Sequence, residues 1–240
     1  SHNPVSDSGL KIFDAFGFKT TPSLENEISQ IAEQLSQEER EIDDIEQEIM
    51  SAPKTDYSSS NWANDLHIGW LTKRLDHFTS LFGQFRASNN FKIANPLLID
   101  SSKGSASSWF ADWLETNLGI ASLEVSHKAE LMNYNCGAGE MSPTQTWTFE
   151  QAKQESHLLL AQLKPAEPGT IVAAALDGDG DRCLIIQATE KGFKVIDGDA
   201  IADTIVNAGT GIGGNWKLAA SIESDLSLLS NLERYPQTVS

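Results

Sequence analysis

The sequence predicts an α/β protein with mixed, mostly parallel sheets covered by helices. The apolar run at 171–176 is typical of a buried strand, strands are also predicted at 96–100 and 121–125, and helices predicted over 105–117 and 149–163 separate them. Strands that alternate with helices favour parallel pairing with both sheet faces covered. Because ligands of such sheets bind beyond the carboxyl ends of strands, we expect functional residues in the loops that follow these runs.

The N-terminal part adds further elements. A short strand is predicted over 10–13, and a helix begins where Thr21 precedes Pro22, since a threonine cap followed by proline is a helix-start pattern. Residues 51–61 are polar and rich in turn formers, which indicates a loop. Residues 62–82 then have the apolar spacing of a second amphipathic helix.

The loop after the last apolar run contains three carboxylates. Asp177, Asp179 and Asp181 alternate with glycines, and Arg182 follows them. The glycines supply the backbone freedom of a tight loop. Like charges packed this closely raise the pKa of at least one carboxyl unless a cation balances them, and an all-oxygen ligand set suits a hard divalent ion. The sequence therefore predicts a divalent metal site in this loop.

Two other interpretations of the acidic loop can be compared with the sequence. A calcium-binding EF-hand loop that starts at Asp177 requires glycine at its sixth position and glutamate at its twelfth, where Arg182 and Ala188 stand. This pattern excludes the EF-hand. A phosphatase of the haloacid-dehalogenase type would use Asp177 as nucleophile and Asp179 as acid, but would have Thr, Ser or Val in place of Asp181. It remains an alternative.

Composition limits the partners. The chain has 34 acidic and 17 basic residues and a formal net charge of −17, which argues against binding to nucleic acid or to an anionic membrane surface. No apolar run approaches the roughly 18 to 20 residues of a membrane-spanning helix. Cys136 and Cys183 form no disulfide framework, and we expect packing roles for them. We expect a cytoplasmic enzyme, for which the sequence leaves monomer and homodimer both open.

Several short motifs occur in a fixed order along the chain. Residues 1–4 are Ser-His-Asn-Pro, residues 9–11 are Gly-Leu-Lys, and residues 177–182 are Asp-Gly-Asp-Gly-Asp-Arg. Between and after them lie Asn-Tyr-Asn-Cys-Gly at 133–137 and Ile-Asp-Gly-Asp-Ala-Ile at 196–201. The ordered set resembles the α-D-phosphohexomutase superfamily, which includes phosphoglucomutase, phosphomannomutase and phosphoglucosamine mutase.

The resemblance implies a Mg²⁺-dependent phosphotransferase that isomerises hexose phosphates. Ser1 is the residue that would bear the phosphoryl group, and Mg²⁺ would be held by Asp177, Asp179 and Asp181 together with the Ser1 phosphate. The phosphoryl group would pass to a hexose monophosphate and form a bisphosphate intermediate. The net result is movement of phosphate between C6 and C1, with a hexose 1,6-bisphosphate as activator.

Three further residues take roles by the same resemblance. Lys11 occupies the position of the proton-transferring group, and His2 is the second candidate for that task. Arg182 would bind phosphoryl oxygens through its planar guanidinium. His67, His77, His127 and His157 have no comparable sequence context and are expected to be structural or solvent-facing.

The resemblance also implies that the chain lacks both ends of the family's proteins. Residues 1–60 would be the C-terminal part of the phosphoserine domain, residues 61–190 the metal-binding α/β domain, and residues 191–240 the start of a third domain. Segment 50–90 matches the family pattern poorly and is interpreted as an expanded interdomain segment. Because the sugar-specificity and phosphate-binding regions are absent, we expect the isolated chain to be inactive.

The sugar is the least determined property. The motifs at 133–137 and 196–201 favour an amino-sugar phosphate, and a phosphomannomutase or phosphoglucomutase with the same mechanism is the alternative. A non-catalytic sugar-phosphate-binding protein is a further possibility, although the complete set of Ser1, Lys11 and three aspartates argues against it. In each case the expected partner is a phosphosugar.

Overall fold

A computed structural model describes residues 3, 6, 12–13, 18–37, 47, 50–51, 60–88, 92–212 and 224. The predicted site residues Ser1, His2 and Lys11 lie outside the described residues, as does most of the predicted loop at 51–61. The chain divides into two compact units, one formed by Ser1–Asp7 with Leu71–Ser240 and the other by Ser8–Trp70.

The unit Ser8–Trp70 contains helix α1, Pro22–Ser36. The predicted helix start is confirmed, because Thr21 Oγ1 accepts the Leu24 N–H at 3.5 Å and proline occupies the first helical position. None of the residues of α1 is buried, and Ile31 is 54% exposed. Leu24, Ile28, Ile31 and Leu35 recur at helical spacing and form an apolar stripe, which is not buried. Helix α2, Ser60–Ser88, extends beyond the predicted 62–82, and the division between the two units falls within it.

The larger unit is built on a six-stranded sheet with the order β2-β1-β4-β5-β6-β3. Its strands are β1 Ile93–Asp100, β2 Ser122–Glu124, β3 Thr146–Thr148, β4 Ile171–Leu176, β5 Cys183–Ala188 and β6 Gly192–Ile196. Pairing is parallel between β1 and both β2 and β4, and antiparallel from β4 through β5 and β6 to β3.

The predicted α/β class and mixed sheet are confirmed, but parallel pairing, expected for most of the sheet, is confined to the half β2-β1-β4. The short connections from β4 to β5 and from β5 to β6 explain why these two pairs are antiparallel, since a tight loop joins antiparallel strands whereas a parallel crossover needs a dozen or more residues. The acidic loop is therefore the turn of an antiparallel pair, and it leaves the sheet at the carboxyl end of β4.

Three shorter helices complete the larger unit: α3 Phe110–Leu118, α4 Phe149–Gln154 and α5 Gly198–Ile212. The helix predicted over 105–117 begins at residue 110 because the preceding residues form turns over the sheet edge. The helix predicted over 149–163 ends at residue 154, and a 3₁₀ turn at Leu160–Gln162 replaces its last part. Within the described ranges, no helix is both long and apolar enough to cross a membrane.

Two apolar clusters fix the sheet. Leu97 and Ile99 of β1 pack with Leu114 of α3, whereas Leu98 between them packs against a larger cluster. Since alternate residues of a strand point to opposite faces, the clusters lie on the two sides of the sheet. Phe193 anchors the larger cluster and meets Phe149 edge to face at 5.3 Å between ring centroids. Both β1 and β4 are thus held rigidly, and so are the loops at their carboxyl ends.

Candidate active site

Three loops meet where β1 and β4 end. We call residues 101–109 the β1 loop, residues 133–137 the asparagine loop and residues 177–182 the acidic loop. Asp100 lies opposite Ala175 in the parallel register of β1 and β4, so the β1 loop and the acidic loop leave from the same sheet edge. The predicted location of the site, at the carboxyl ends of parallel strands, is where these loops lie.

The acidic loop brings its three carboxylates together. One carboxylate oxygen from each of Asp177, Asp179 and Asp181 lies within 4.8 Å of the others. Asp177 is 1% exposed, whereas the other two aspartates are exposed. Asp177 Oδ1 accepts the Arg182 N–H at 3.1 Å, and Gly180, with φ of 75°, allows the chain to curl between them. The triad therefore consists of one buried, hydrogen-bonded aspartate and two exposed ones.

The electrostatics of the triad favour a cation. Burial raises the pKa of the Asp177 carboxyl, the hydrogen bond from Arg182 N–H acts against it, and the charge of Asp179 raises the pKa further. A divalent cation would relieve this repulsion without protonation. Carboxylate oxygens at this spacing are the ligands of hard cations such as Mg²⁺, so the donor set fits the metal that the sequence predicts.

Metal affinity should depend on pH through Asp177. A protonated carboxyl binds no metal, so affinity is lost as pH falls through the pKa, and the raised pKa moves this loss above the range of an ordinary aspartate near about 3.9. Titration calorimetry with Mn²⁺ as probe should show affinity that declines as pH falls from neutral into the acidic interval above the pKa of an ordinary aspartate. An affinity that stays constant across this interval would contradict the assignment of Asp177 as a ligand.

The β1 loop fastens the acidic loop to the sheet. Ser102 Oγ donates to Leu176 O at 3.0 Å, directly before Asp177, and the Ser105 N–H donates to Gly178 O at 2.9 Å. A Cβ added to Gly104 would lie 2.1 Å from Gly178 O, so only glycine permits this approach. These contacts hold the backbone of the acidic loop against the β1 loop.

The asparagine loop is held by Asp100. This carboxylate is fully buried, and it accepts the Ser102 N–H at 2.9 Å and the Gly137 N–H at 2.8 Å. Burial raises the pKa of Asp100, and the hydrogen bond from Gly137 acts against that rise. Asp100 therefore joins the β1 loop to the asparagine loop.

His157 holds the same loop from the other side. Its Nδ1 accepts the Leu159 N–H at 3.2 Å, so the proton of the neutral ring is on Nε2, which donates to Gly137 O at 3.1 Å. Burial raises the pKa of Cys136 in the same loop to about 11, and its Sγ lies 3.8 Å from Leu131 O. His157 and Cys136 thus have the structural roles expected for them.

A cleft of about 430 Å³ lies beside the triad. Its polar lining comes from Asp181 and Arg182 of the acidic loop and from Asp197 and Asp199, where α5 begins. Arg182 is exposed, which places a cation beside the three carboxylates at the cleft. Its role as a phosphate ligand remains a prediction.

The N-terminal motif meets the site at a residue that sequence reasoning did not single out. Asn3, the third residue of Ser-His-Asn-Pro, accepts a hydrogen bond from Asn133 Nδ2 through its carbonyl oxygen at 2.8 Å. Asn133 adopts φ of 56°, a conformation in which asparagine is enriched. The available signal was therefore an asparagine in a turn, which does not identify its partner 130 residues away.

No protein-family model matches the chain. Curated proteins named phosphoglucosamine mutase do match it. The protein of Limosilactobacillus fermentum is 27% identical over 202 residues, which are 84% of this chain and 36% of the relative. The protein of Lachnoclostridium phytofermentans is 29% identical over 203 residues, with the same coverage. That of Francisella tularensis is 26% identical over 228 residues, which are 95% of this chain and 42% of the relative.

The chain therefore spans less than half the length of these curated relatives. Among solved structures, N-acetylglucosamine-phosphate mutase of the α-D-phosphohexomutase superfamily, in its apo form, aligns with a TM-score of 0.36 and 20% identity over 59% of this chain and 27% of that one. The curated relatives confirm the resemblance to phosphohexomutases that the ordered motifs indicate.

Proposed function

We propose that the chain is part of a Mg²⁺-dependent phosphohexomutase that works through a phosphoserine at Ser1 and a hexose bisphosphate intermediate. The observation that supports this most directly is the triad Asp177, Asp179 and Asp181 at the carboxyl end of β4. The hydrogen bond from Asn133 to Asn3 adds to it, since it joins the Ser-His-Asn-Pro segment to the same group of loops.

Each residue has a defined task in this mechanism. Phosphoserine at Ser1 donates its phosphoryl group to the free hydroxyl of a hexose monophosphate, which breaks the Ser1 O–P bond and forms a sugar O–P bond. Asp177, Asp179 and Asp181 would hold Mg²⁺, which would neutralise charge on the phosphoryl oxygens. Lys11, with His2 as the second candidate, takes the proton of the attacking hydroxyl and returns a proton to the Ser1 oxygen as it leaves.

The second half of the reaction reverses the first at the other end of the sugar. The bisphosphate reorients so that the phosphate originally present on the substrate faces Ser1. That phosphoryl group is then transferred to Ser1, and the sugar oxygen that leaves it gains a proton. Arg182 binds the phosphoryl oxygens through its planar guanidinium. A hexose 1,6-bisphosphate would phosphorylate Ser1 at the start and so act as activator.

The substrate we favour is an amino-sugar phosphate. The curated relatives are named phosphoglucosamine mutases, and the motifs of the asparagine loop and of the chain leading into α5 lean the same way. Mannose and glucose phosphates are the alternatives. With a net charge of −17, the protein must hold an anionic sugar phosphate through local cations. A cytoplasmic location agrees with unpaired cysteines.

The test is a ³¹P NMR assay with Mg²⁺ and the 6-phosphates of glucosamine, mannose and glucose, each with the matching 1,6-bisphosphate. Residues 1–240 and any longer gene product that contains them are assayed side by side. We expect conversion of 6-phosphate to 1-phosphate by the longer product, fastest with glucosamine, and none by residues 1–240. Release of inorganic phosphate without interconversion would favour a phosphatase, and turnover by residues 1–240 would contradict the expected inactivity.

A further inference from the structure

Asn133 links the N-terminal segment to the sheet. Its Nδ2 donates to the carbonyl oxygen of Asn3 at 2.8 Å, two residues after Ser1. Asn133 is 3% exposed and Asn3 is exposed, so the bond is half-buried and its donor is a group that would be costly to leave unpaired. The contact holds the main chain of Asn3, which is two residues from the proposed nucleophile in the sequence.

The backbone of Asn133 is held independently of that contact. Its N–H donates to Ser102 O at 3.2 Å, and its backbone adopts φ of 56°. Within the same loop, Asn135 O accepts the Leu158 N–H at 2.8 Å. The Gly137 N–H donates to Asp100, and the Gly137 carbonyl oxygen accepts from His157. The Asn133 amide is therefore presented from a rigid support.

The same support reaches the proposed metal ligands. Ser102, which binds the Asn133 N–H through its carbonyl oxygen, donates its hydroxyl to Leu176 O at 3.0 Å. Leu176 directly precedes Asp177. A continuous set of hydrogen bonds thus runs from Asn3 through Asn133 and Ser102 to the start of the acidic loop.

We propose that Asn133 is a positioning residue that sets the Ser-His-Asn-Pro segment in register with the three aspartates, so that the Ser1 phosphate can join them at the metal. The inference rests on the proposed function. A side-chain hydrogen-bond donor is required at this position because the Asn3 carbonyl oxygen can only accept, and the Asn133 amide supplies one. An aspartate of the same shape would place a negatively charged acceptor against Asn3 O. Small errors in such positioning are costly to phosphoryl transfer.

The experiment measures Mn²⁺ affinity by titration calorimetry for residues 1–240 with either serine or phosphoserine at position 1. The variants are Asn133→Gly, which permits positive φ without an amide, and Asn133→Asp, which replaces the amide by a carboxylate. The matched control is Asn135→Gly, since Asn135 also has positive φ, at 51°, in the same loop. Thermal unfolding of each variant checks that the fold is retained.

For the unsubstituted chain, phosphoserine should strengthen Mn²⁺ binding by about tenfold or more, because a dianionic phosphate adds charge and oxygen ligands near the site. This gain should fall to less than about twofold in both Asn133 variants and persist in Asn135→Gly, while affinity without phosphate stays similar in Asn133→Gly and Asn135→Gly. A gain that survives in folded Asn133→Gly would overturn the role of Asn133. No gain even in the unsubstituted chain would instead overturn the proposed phosphoserine site.

Discussion

Replacement of Gly137 by alanine should destabilise the larger unit by about 3 to 5 kcal/mol, because steric overlap and backbone strain act together. The added Cβ would lie 1.5 Å from Ser102 Oγ, 2.7 Å from Ser102 Cβ and 2.9 Å from Leu176 O. Gly137 also has φ of 82°, which an alanine rarely adopts. Relief of the overlap requires Ser102 to move, and this would break its hydrogen bond to Leu176 O.

Gly169→Ala is the matched control, since Gly169 has φ of 88° but no atom lies within 4 Å of its added Cβ. Its free energy of unfolding should fall by only about 1 kcal/mol, the cost of the backbone strain alone. The free energy of unfolding, measured by urea denaturation followed by tryptophan fluorescence, compares the two. Equal losses would show that the crowding of Gly137 against Ser102 contributes nothing to stability.

Asp177→Asn should lower Mn²⁺ affinity by more than roughly 100-fold, since even the outer partners of metal ligands typically cost about 10- to 100-fold when mutated. The substitution removes the charge but retains an oxygen in place of Oδ1, so the hydrogen bond from Arg182 N–H can persist. The fold should therefore survive. Because the pKa of Asp177 is raised by burial, loss of its ionised form should also leave stability unchanged or slightly increased near neutral pH.

Glu190→Gln is the control for charge alone. Glu190 is exposed in the turn between β5 and β6, and its substitution removes one negative charge from the same sheet. Its Mn²⁺ affinity should stay within about twofold of the unsubstituted chain, because charges in water are strongly screened. Comparable losses in the two variants would mean that bulk charge, and not coordination at the acidic loop, governs metal binding.

The strand before the acidic loop could be predicted because its signal is local. Residues 171–176 form an unbroken apolar run bounded by polar residues, and the observed β4 occupies the same range. The position of Asp177 at its carboxyl end follows from that boundary. Likewise, Thr21 and Pro22 marked the start of α1 from adjacent residues alone.

Features that depend on distant partners were not predictable from local patterns. The helix expected over 149–163 has suitable periodicity, yet it ends at residue 154, and His157 beyond it accepts the Leu159 N–H and donates to Gly137 O. Asn133 is one of several turn asparagines until Asn3 is placed beside it. The exposed apolar stripe of α1 is a further example, since periodicity predicts a helix but does not predict which residues cover its apolar side.

The central claim is a phosphoserine enzyme at Ser1, and the most direct measurement locates the phosphoryl group. A longer gene product that contains residues 1–240 is incubated with Mg²⁺ and glucosamine 1,6-bisphosphate, digested, and analysed by peptide mass spectrometry beside its Ser1→Ala variant. We predict phosphate on the peptide that contains Ser1, and none in the variant. Phosphate on Asp177, or phosphorylation that persists in Ser1→Ala, would contradict the mutase mechanism and favour an aspartate-dependent phosphatase.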